Sequence, residues 1–205
     1  MSEFSVDPSA SVLQYRGGFL GVETVAYSGP DGQVHQRDVV HHPGAVVIVP
    51  YLAETGSILL IEQYRVATNM EMLELPAGKR DVEGEDPHDC AVRELEEELG
   101  LRATSMVHLG SFFNSPGFCD ELTHVYLARG LSRGSWNPQG AEEALAKRRS
   151  VALMNLERLM AAGRIMDAKT IVGMYATRSY LDDLAVPENI VDDIEAEEFA
   201  VVESG

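Results

Sequence analysis

Apolar positions along the chain change their period several times, and each change marks an expected element. Residues 19–28 (FLGVETVAYS) and 33–42 (QVHQRDVVHH) alternate apolar and polar positions on either side of the turn residues GPDG. That pattern predicts a hairpin. Residues 44–52 (GAVVIVPYL) and 57–65 (SILLIEQYR), split by AETG, are apolar almost without interruption. Such continuity predicts a second hairpin whose strands are buried on both faces. After residue 86 the period lengthens. Asp86 is a good N-cap, Pro87 suits the first helical position, and Asp89 completes a capping-box-like spacing. Gly100 stands where a left-handed C-terminal residue is wanted. A helix is therefore expected over 87–99, with Ala91, Val92, Leu95 and Leu99 as its buried stripe. Strands are expected over 105–114, 122–130 and 150–156, then helices over 156–162 and 168–184, the second capped by Asp167. Strands, one helix, more strands and closing helices make an α/β protein, a mixed sheet between helical layers.

Composition narrows the class. The chain has 205 residues, 45% of them hydrophobic, which suits one globular domain with an appendage. The longest apolar run is too short to span a membrane, and MSEFSVDPSA lacks the basic and apolar regions of a signal peptide. Cys90 and Cys119 offer neither a disulfide framework nor a metal-binding spacing, so both are expected to be reduced thiols of a cytoplasmic protein. The net charge is -17, and residues 182–205 hold nine Asp or Glu without a Lys or Arg. That segment reads as a solvating tail, and the acidic balance argues against nucleic-acid binding.

The helix over 87–99 poses a question of charge. Glu94, Glu96, Glu97 and Glu98 crowd its last turns, where like charges three and four apart repel. Glu94, Glu97 and Glu98 fall together beside the apolar stripe, near the negative end of the helix dipole, while Glu96 points elsewhere. Three convergent carboxylates suit a hard, oxygen-preferring cation such as Mg²⁺ or Mn²⁺. A solvated acidic face, with Arg93 and Glu97 as an ordinary surface pair, accounts for the same spacing. The loop GKRDVEGED before the helix lacks the glycine density and terminal Lys-Ser/Thr of a P-loop.

The wider pattern separates these readings. Gly78, then Glu85 after six residues, then RELEEELGL after seven more, resembles the Nudix box, G-x5-E-x7-R-E-U-x-E-E-x-G-U with U aliphatic. One residue is added between Gly78 and Glu85, a longer spacing that also occurs among ADP-ribose pyrophosphatases of that family. ELPAGK (74–79), EQYR (62–65), SPGFCDE (115–121) and GRIMDAKTIVG (163–173) are similar to segments of the same subgroup. So is the position of Pro116, 15 residues after Leu101. The resemblance covers roughly residues 39–175.

The resemblance implies a Nudix fold with a small N-terminal β-hairpin or sheet subdomain over 1–42 that helps build a homodimer. A Nudix hydrolase domain over 43–184 and the acidic tail over 185–205 complete the expected organisation. It implies a metal site formed by the Ala77 carbonyl, Glu94, Glu98, Glu97 and Glu85, holding Mg²⁺ with Mn²⁺ as the other candidate. Glu97 and Arg93 join the catalytic cluster, Arg93 as an organiser of the box carboxylates. Glu142 or Glu143, in the loop before KRR (147–149), is the candidate general base; both also read as exposed loop residues. Arg65, Glu121 and Pro116 are the substrate candidates, although Arg65 equally suits a salt bridge between subdomains. His41 and His42, beside Pro43, are expected to be structural. The implied reaction is Mg²⁺-dependent hydrolysis of ADP-ribose to AMP and ribose 5-phosphate. The alternatives are another nucleoside diphosphate derivative (ADP-glucose, GDP-mannose or NADH) or a non-catalytic ADP-ribose sensor.

Overall fold

The computed structural model describes residues 4–136 and 145–184. Two sheets organise the chain. A three-stranded antiparallel sheet comprises β1 (Ser5–Arg16), β2 (Gly21–Ser28) and β3 (Val34–His41). The expected hairpin is β2–β3, in continuous register from Gly21↔His41 to Ser28↔Val34. β1 is an addition that the apolar pattern does not signal. Its sequence SVDPSASVLQYR is exposed at nearly every position, so no alternation between core and solvent is written into it.

The second sheet holds seven strands in the order β10-β5-β4-β9-β8, with β6 paired to β5 and β7 paired to β4. Their ranges are β4 (Ala45–Leu52), β5 (Ser57–Arg65), β6 (Met70–Glu74), β7 (Ala77–Lys79), β8 (Leu101–Phe113), β9 (Leu122–Arg133) and β10 (Lys147–Ala152). β4 runs parallel to β9, and the other pairings are antiparallel, so the sheet is mixed as expected. The expected strand over 150–156 starts earlier, at Lys147, and stops at Ala152, where Leu153–Asn155 turns into a 3-10 helix.

β4 is the centre of the molecule. Its first half pairs with β7 and its end pairs with β5. The two neighbours are thus splayed apart, and Pro76 bridges the split by accepting from the Ile48 N–H at 2.9 Å. Val46 and Ile48 pack into one apolar cluster with Cys90, Ala91, Leu95 and Leu99 of α1 (Pro87–Leu99). Val47 and Val49 pack into another with Leu75, Leu156 and Met174. Successive strand residues face opposite sides, so a helical layer covers each face, with α2 (Leu156–Ala161) and α3 (Ala168–Asp183) on the second. Gly173 lets α3 approach closely, since a Cβ there would lie 2.6 Å from Leu75 Cδ1. Among the described residues no helix is long and apolar enough to cross a membrane.

The small sheet is fastened to the large one through the loop after β8. The Val40 N–H donates to the Phe118 carbonyl, and the Asp120 N–H donates to that of Val40. His41 lies between Asp120 (Nδ1 to Oδ2, 2.6 Å) and Glu23 (Nε2 to Oε2, 2.8 Å). These carboxylates, Asp120 foremost, raise the His41 pKa on folding. The resulting stabilisation is complete below the ordinary histidine value of about 6.5 and fades as pH rises through the raised folded value. The stability gap between wild type and His41→Gln is therefore expected to be widest near about pH 6 and to shrink in mildly alkaline solution. Urea midpoints across that range measure it, and a gap that widens with pH would contradict the bridge.

Candidate active site

α1 is built as its sequence predicts at both ends. The Asp86 carboxylate accepts from the His88 N–H at 2.8 Å, Pro87 opens the helix, and Gly100 closes it at φ 58. Its faces differ from expectation in two respects. Val92 is exposed, and Cys90 takes its place in the buried set. That set runs Cys90, Ala91, Glu94, Leu95, Glu98, Leu99. At about 100° per residue, Glu94 and Glu98 fall in the middle of this arc rather than beside it. Each retains only 7% of its accessible surface. Burying carboxylates so deeply is costly unless they are paired or bound to a metal.

Arg93 supplies much of the compensation. Its Nε and Nη2 each donate to one oxygen of Glu85 at 2.9 Å, and its Nη1 donates to Glu94 Oε1 at 2.7 Å and Glu97 Oε2 at 3.1 Å. One guanidinium thereby gathers three of the four expected box carboxylates, and hydrogen bonding to Arg93 holds the Glu85 carboxyl below its usual range. The fourth, Glu98, accepts from the Ala77 N–H at 3.0 Å. Glu96, as expected, points away, to Arg102 and the Ser135 N–H. Cys90, beneath Arg93, has its thiol pushed up to about 12, chiefly by burial. It is a packed side chain rather than a nucleophile.

β7 brings its backbone against this helix. A Cβ on Gly78 would fall 1.9 Å from Glu94 Cδ and 2.1 Å from its Oε1, so only glycine leaves the carboxylate in place. Arg65 on β5 is a bidentate partner of Glu74 on β6, at 2.9 and 2.7 Å. Glu74 is 1% exposed, so this pair is internal to one sheet rather than between subdomains.

These elements enclose a cleft of about 760 Å³. It is lined by Ala77, Gly78, Arg93, Glu94, Glu97 and Glu98, and by Arg65 and Glu121. Of the expected residues, Glu85 lies behind Arg93. Pro116 is exposed on the loop after β8 and does not belong to the cleft wall among the described residues. Glu142 and Glu143 lie outside the described residues, as does the tail 185–205. Phe19, Lys79 and Lys169 also stand on the wall, which nothing in the sequence signals, and so does His42, expected to be structural. Phe19 stacks edge-on against His42 at 5.6 Å between centroids and lies under the Lys79 ammonium at 4.5 Å. The small sheet therefore contributes directly to the cleft. Among the described residues the gathered carboxylates are not arranged as a ready ion-holding group of three, Arg93 engaging oxygens of Glu85, Glu94 and Glu97.

A mixed sheet between helices and a buried glutamate cluster on the helix that follows Gly78 together define a class. Residues 41–171 match the NUDIX domain family, and the chain belongs to that family, a Nudix hydrolase by class. It is 40% identical over 146 residues to the methanol dehydrogenase activator of Bacillus methanolicus, covering 71% of this chain and 77% of that protein. It is 34% identical over 187 residues to the ADP-ribose pyrophosphatase of Mycobacterium tuberculosis, covering 91% and 90%. The crystal structure of an ADP compounds hydrolase shares the fold with a TM-score of 0.77 at 21% identity, over 90% of this chain and 97% of that one.

Members of the family generally use divalent metal ions. The residues here fit one on two grounds. The groups available are carboxylate and carbonyl oxygens, the donors hard divalent cations prefer. The Glu94 carboxylate occupies the space that a Cβ on Gly78 would fill, which seats it directly against the β7 backbone.

Proposed function

We propose that this protein hydrolyses the diphosphate of ADP-ribose to AMP and ribose 5-phosphate, using Mg²⁺, with Mn²⁺ as the other candidate. The observation that carries the reading is the meeting, in one cleft, of buried Glu94 and Glu98 with the Gly78 backbone and with cations from β5, β7 and α3. The likeness to an ADP-ribose pyrophosphatase over nine-tenths of the chain supports the substrate.

Glu94, Glu98 and the Ala77 carbonyl would hold the ion, with Glu97 and Glu85 as further ligands. When bound, it neutralises phosphate charge and lowers the pKa of water. The remaining work belongs to the chain. Arg93 fixes the carboxylates in one arrangement and cannot itself titrate near neutrality. The Ala77 N–H orients Glu98. Glu121 and Arg65 contact the nucleotide sugar from the walls, Arg65 through the edge of its guanidinium left by Glu74, and Pro116 shapes the loop that carries Glu121. Glu143 or Glu142 takes the proton from the attacking water. Water's oxygen joins one phosphorus, the bridging P–O bond breaks, and each product leaves as a phosphate monoester.

The same reading assigns residues 1–42 to a dimerising subdomain, 43–184 to the hydrolase and 185–205 to an acidic appendage. Exposed Val6, Val12, Leu13 and Tyr15 on edge strand β1 support a homodimer, since unpaired edges with apolar side chains invite a partner. Sedimentation of the purified chain as a monomer would contradict it. Free Cys90 and Cys119 support a cytoplasmic setting.

The substrate reading is tested by parallel product analysis with ADP-ribose, ADP-glucose, GDP-mannose and NADH. The highest kcat/KM is expected for ADP-ribose. A preference for another compound would overturn the substrate and keep the site.

A further inference from the structure

Four Lys and Arg side chains line the cleft among the described residues: Arg65, Lys79, Arg93 and Lys169. Two of them are taken up by carboxylates, and a third rests on an aromatic ring. Arg65 is forked onto Glu74, Arg93 is saturated by Glu85, Glu94 and Glu97, and Lys79 sits over the Phe19 ring. Lys169 differs. Its ammonium donates to Asp167 Oδ1 at 2.7 Å, and an ammonium has three donors.

The mounting of Lys169 is unusually firm. Asp167 Oδ2 accepts from both the N–H and the hydroxyl of Thr170, at 2.9 and 2.7 Å, and Thr170 Oγ1 accepts from the Leu75 N–H at 2.8 Å. Asp167, Thr170 and Leu75 are all buried. Burial acts to raise the Asp167 pKa, but the Lys169 charge and these hydrogen bonds outweigh it and hold the carboxyl ionised. Leu75 stands two residues before Ala77, whose N–H holds Glu98. A continuous chain of hydrogen bonds and backbone thus sets the Lys169 ammonium in fixed relation to the box carboxylates.

The cleft wall also carries five acidic side chains: Asp81, Glu94, Glu97, Glu98 and Glu121. A diphosphate entering there needs donors on the wall, and Lys169, though paired with Asp167, keeps two N–H donors beyond that bond. We propose that Lys169 is a substrate-binding residue whose ammonium, positioned by Asp167, holds a phosphate oxygen of the nucleoside diphosphate on the α3 wall of the cleft. A compact, strongly hydrogen-bonding point charge suits a phosphate oxygen. The inference rests on the reading of the cleft as a diphosphate site.

The test uses Lys169→Met and Lys169→Arg in the full chain with Mg²⁺. The probe is an α,β-methylene analogue of ADP-ribose, whose bridge cannot be hydrolysed, with adenosine as the phosphate-free control. Lys169→Met is expected to weaken the analogue about ten- to a hundredfold, the range for loss of a charge-assisted hydrogen bond. KM for ADP-ribose should rise with it while kcat changes less, the mark of lost ground-state binding. Lys169→Arg should restore most of the affinity, and adenosine binding should not move. Unchanged analogue affinity in Lys169→Met overturns the proposal. So does an equal loss for adenosine with a lowered Tm and no rescue by Arg, which would make Lys169 a brace of α3. A wild-type chain that neither binds the analogue nor cleaves ADP-ribose refutes the substrate instead. In that case Lys169→Met must still weaken inorganic pyrophosphate, or the inference fails with it.

Discussion

Glu98→Gln is expected to lower the rate of ADP-ribose hydrolysis at least about a thousandfold while shifting Tm by no more than a few degrees. The two effects separate because the side chain has two tasks. As an acceptor for the Ala77 N–H it is replaceable, since the glutamine carbonyl occupies the same position and accepts the same bond. As a charge it is not. A metal-assisted site draws several kcal/mol of transition-state stabilisation from its ion, and each 1.4 kcal/mol or so is tenfold in rate. Removing an anionic ligand at a buried position discards that contribution without a substitute from solvent. Single-turnover rates and thermal melts of the variant measure both effects. Retention of a tenth or more of the wild-type rate would count against Glu98 as a ligand.

Gly78→Ala is expected to cost about a hundredfold in rate, by displacement rather than by loss of a functional group. The added methyl would stand 1.9 Å from Glu94 Cδ and 2.3 Å from its Cγ, so something must move by more than an ångström. The backbone of Gly78 is fixed in its pairing with Val46. The glutamate end is the softer partner, so the carboxylate yields and leaves its place beside β7. A misplacement of about 1 Å at a reacting centre costs on the order of a hundredfold. Stability should change little, because a side chain rather than a strand absorbs the clash. A fully active Gly78→Ala would show that Glu94 has no fixed position to lose.

What the sequence makes legible here depends on how local the cause is. The ends of α1 depend on Asp86, Pro87 and Gly100 acting within one turn, and all are found where their residue types require. The double burial of β4 is written in its unbroken apolar run. Sequence spacing places the carboxylates beside the buried stripe, because apolarity is its sign of burial. Glu94 and Glu98 are buried despite their charge, and Val92 is exposed despite its lack of one. Strand β1 is invisible because it is exposed at nearly every position, so its sequence carries no alternation. Lys169 owes its place on the cleft wall to a bond between Thr170 and Leu75, 95 residues apart, which no local spacing records. The same holds for Phe19 and His42, brought to the cleft by the docking of one sheet on another.

The cleft is expected to perform metal-dependent hydrolysis of a diphosphate. The most direct measurement is separation of products after the chelator-treated protein is incubated with ADP-ribose, with and without added Mg²⁺. AMP and ribose 5-phosphate are expected in equal amounts when Mg²⁺ is added, and only a trace without it. Equal turnover in both samples, or intact ADP-ribose in both, would contradict this expectation.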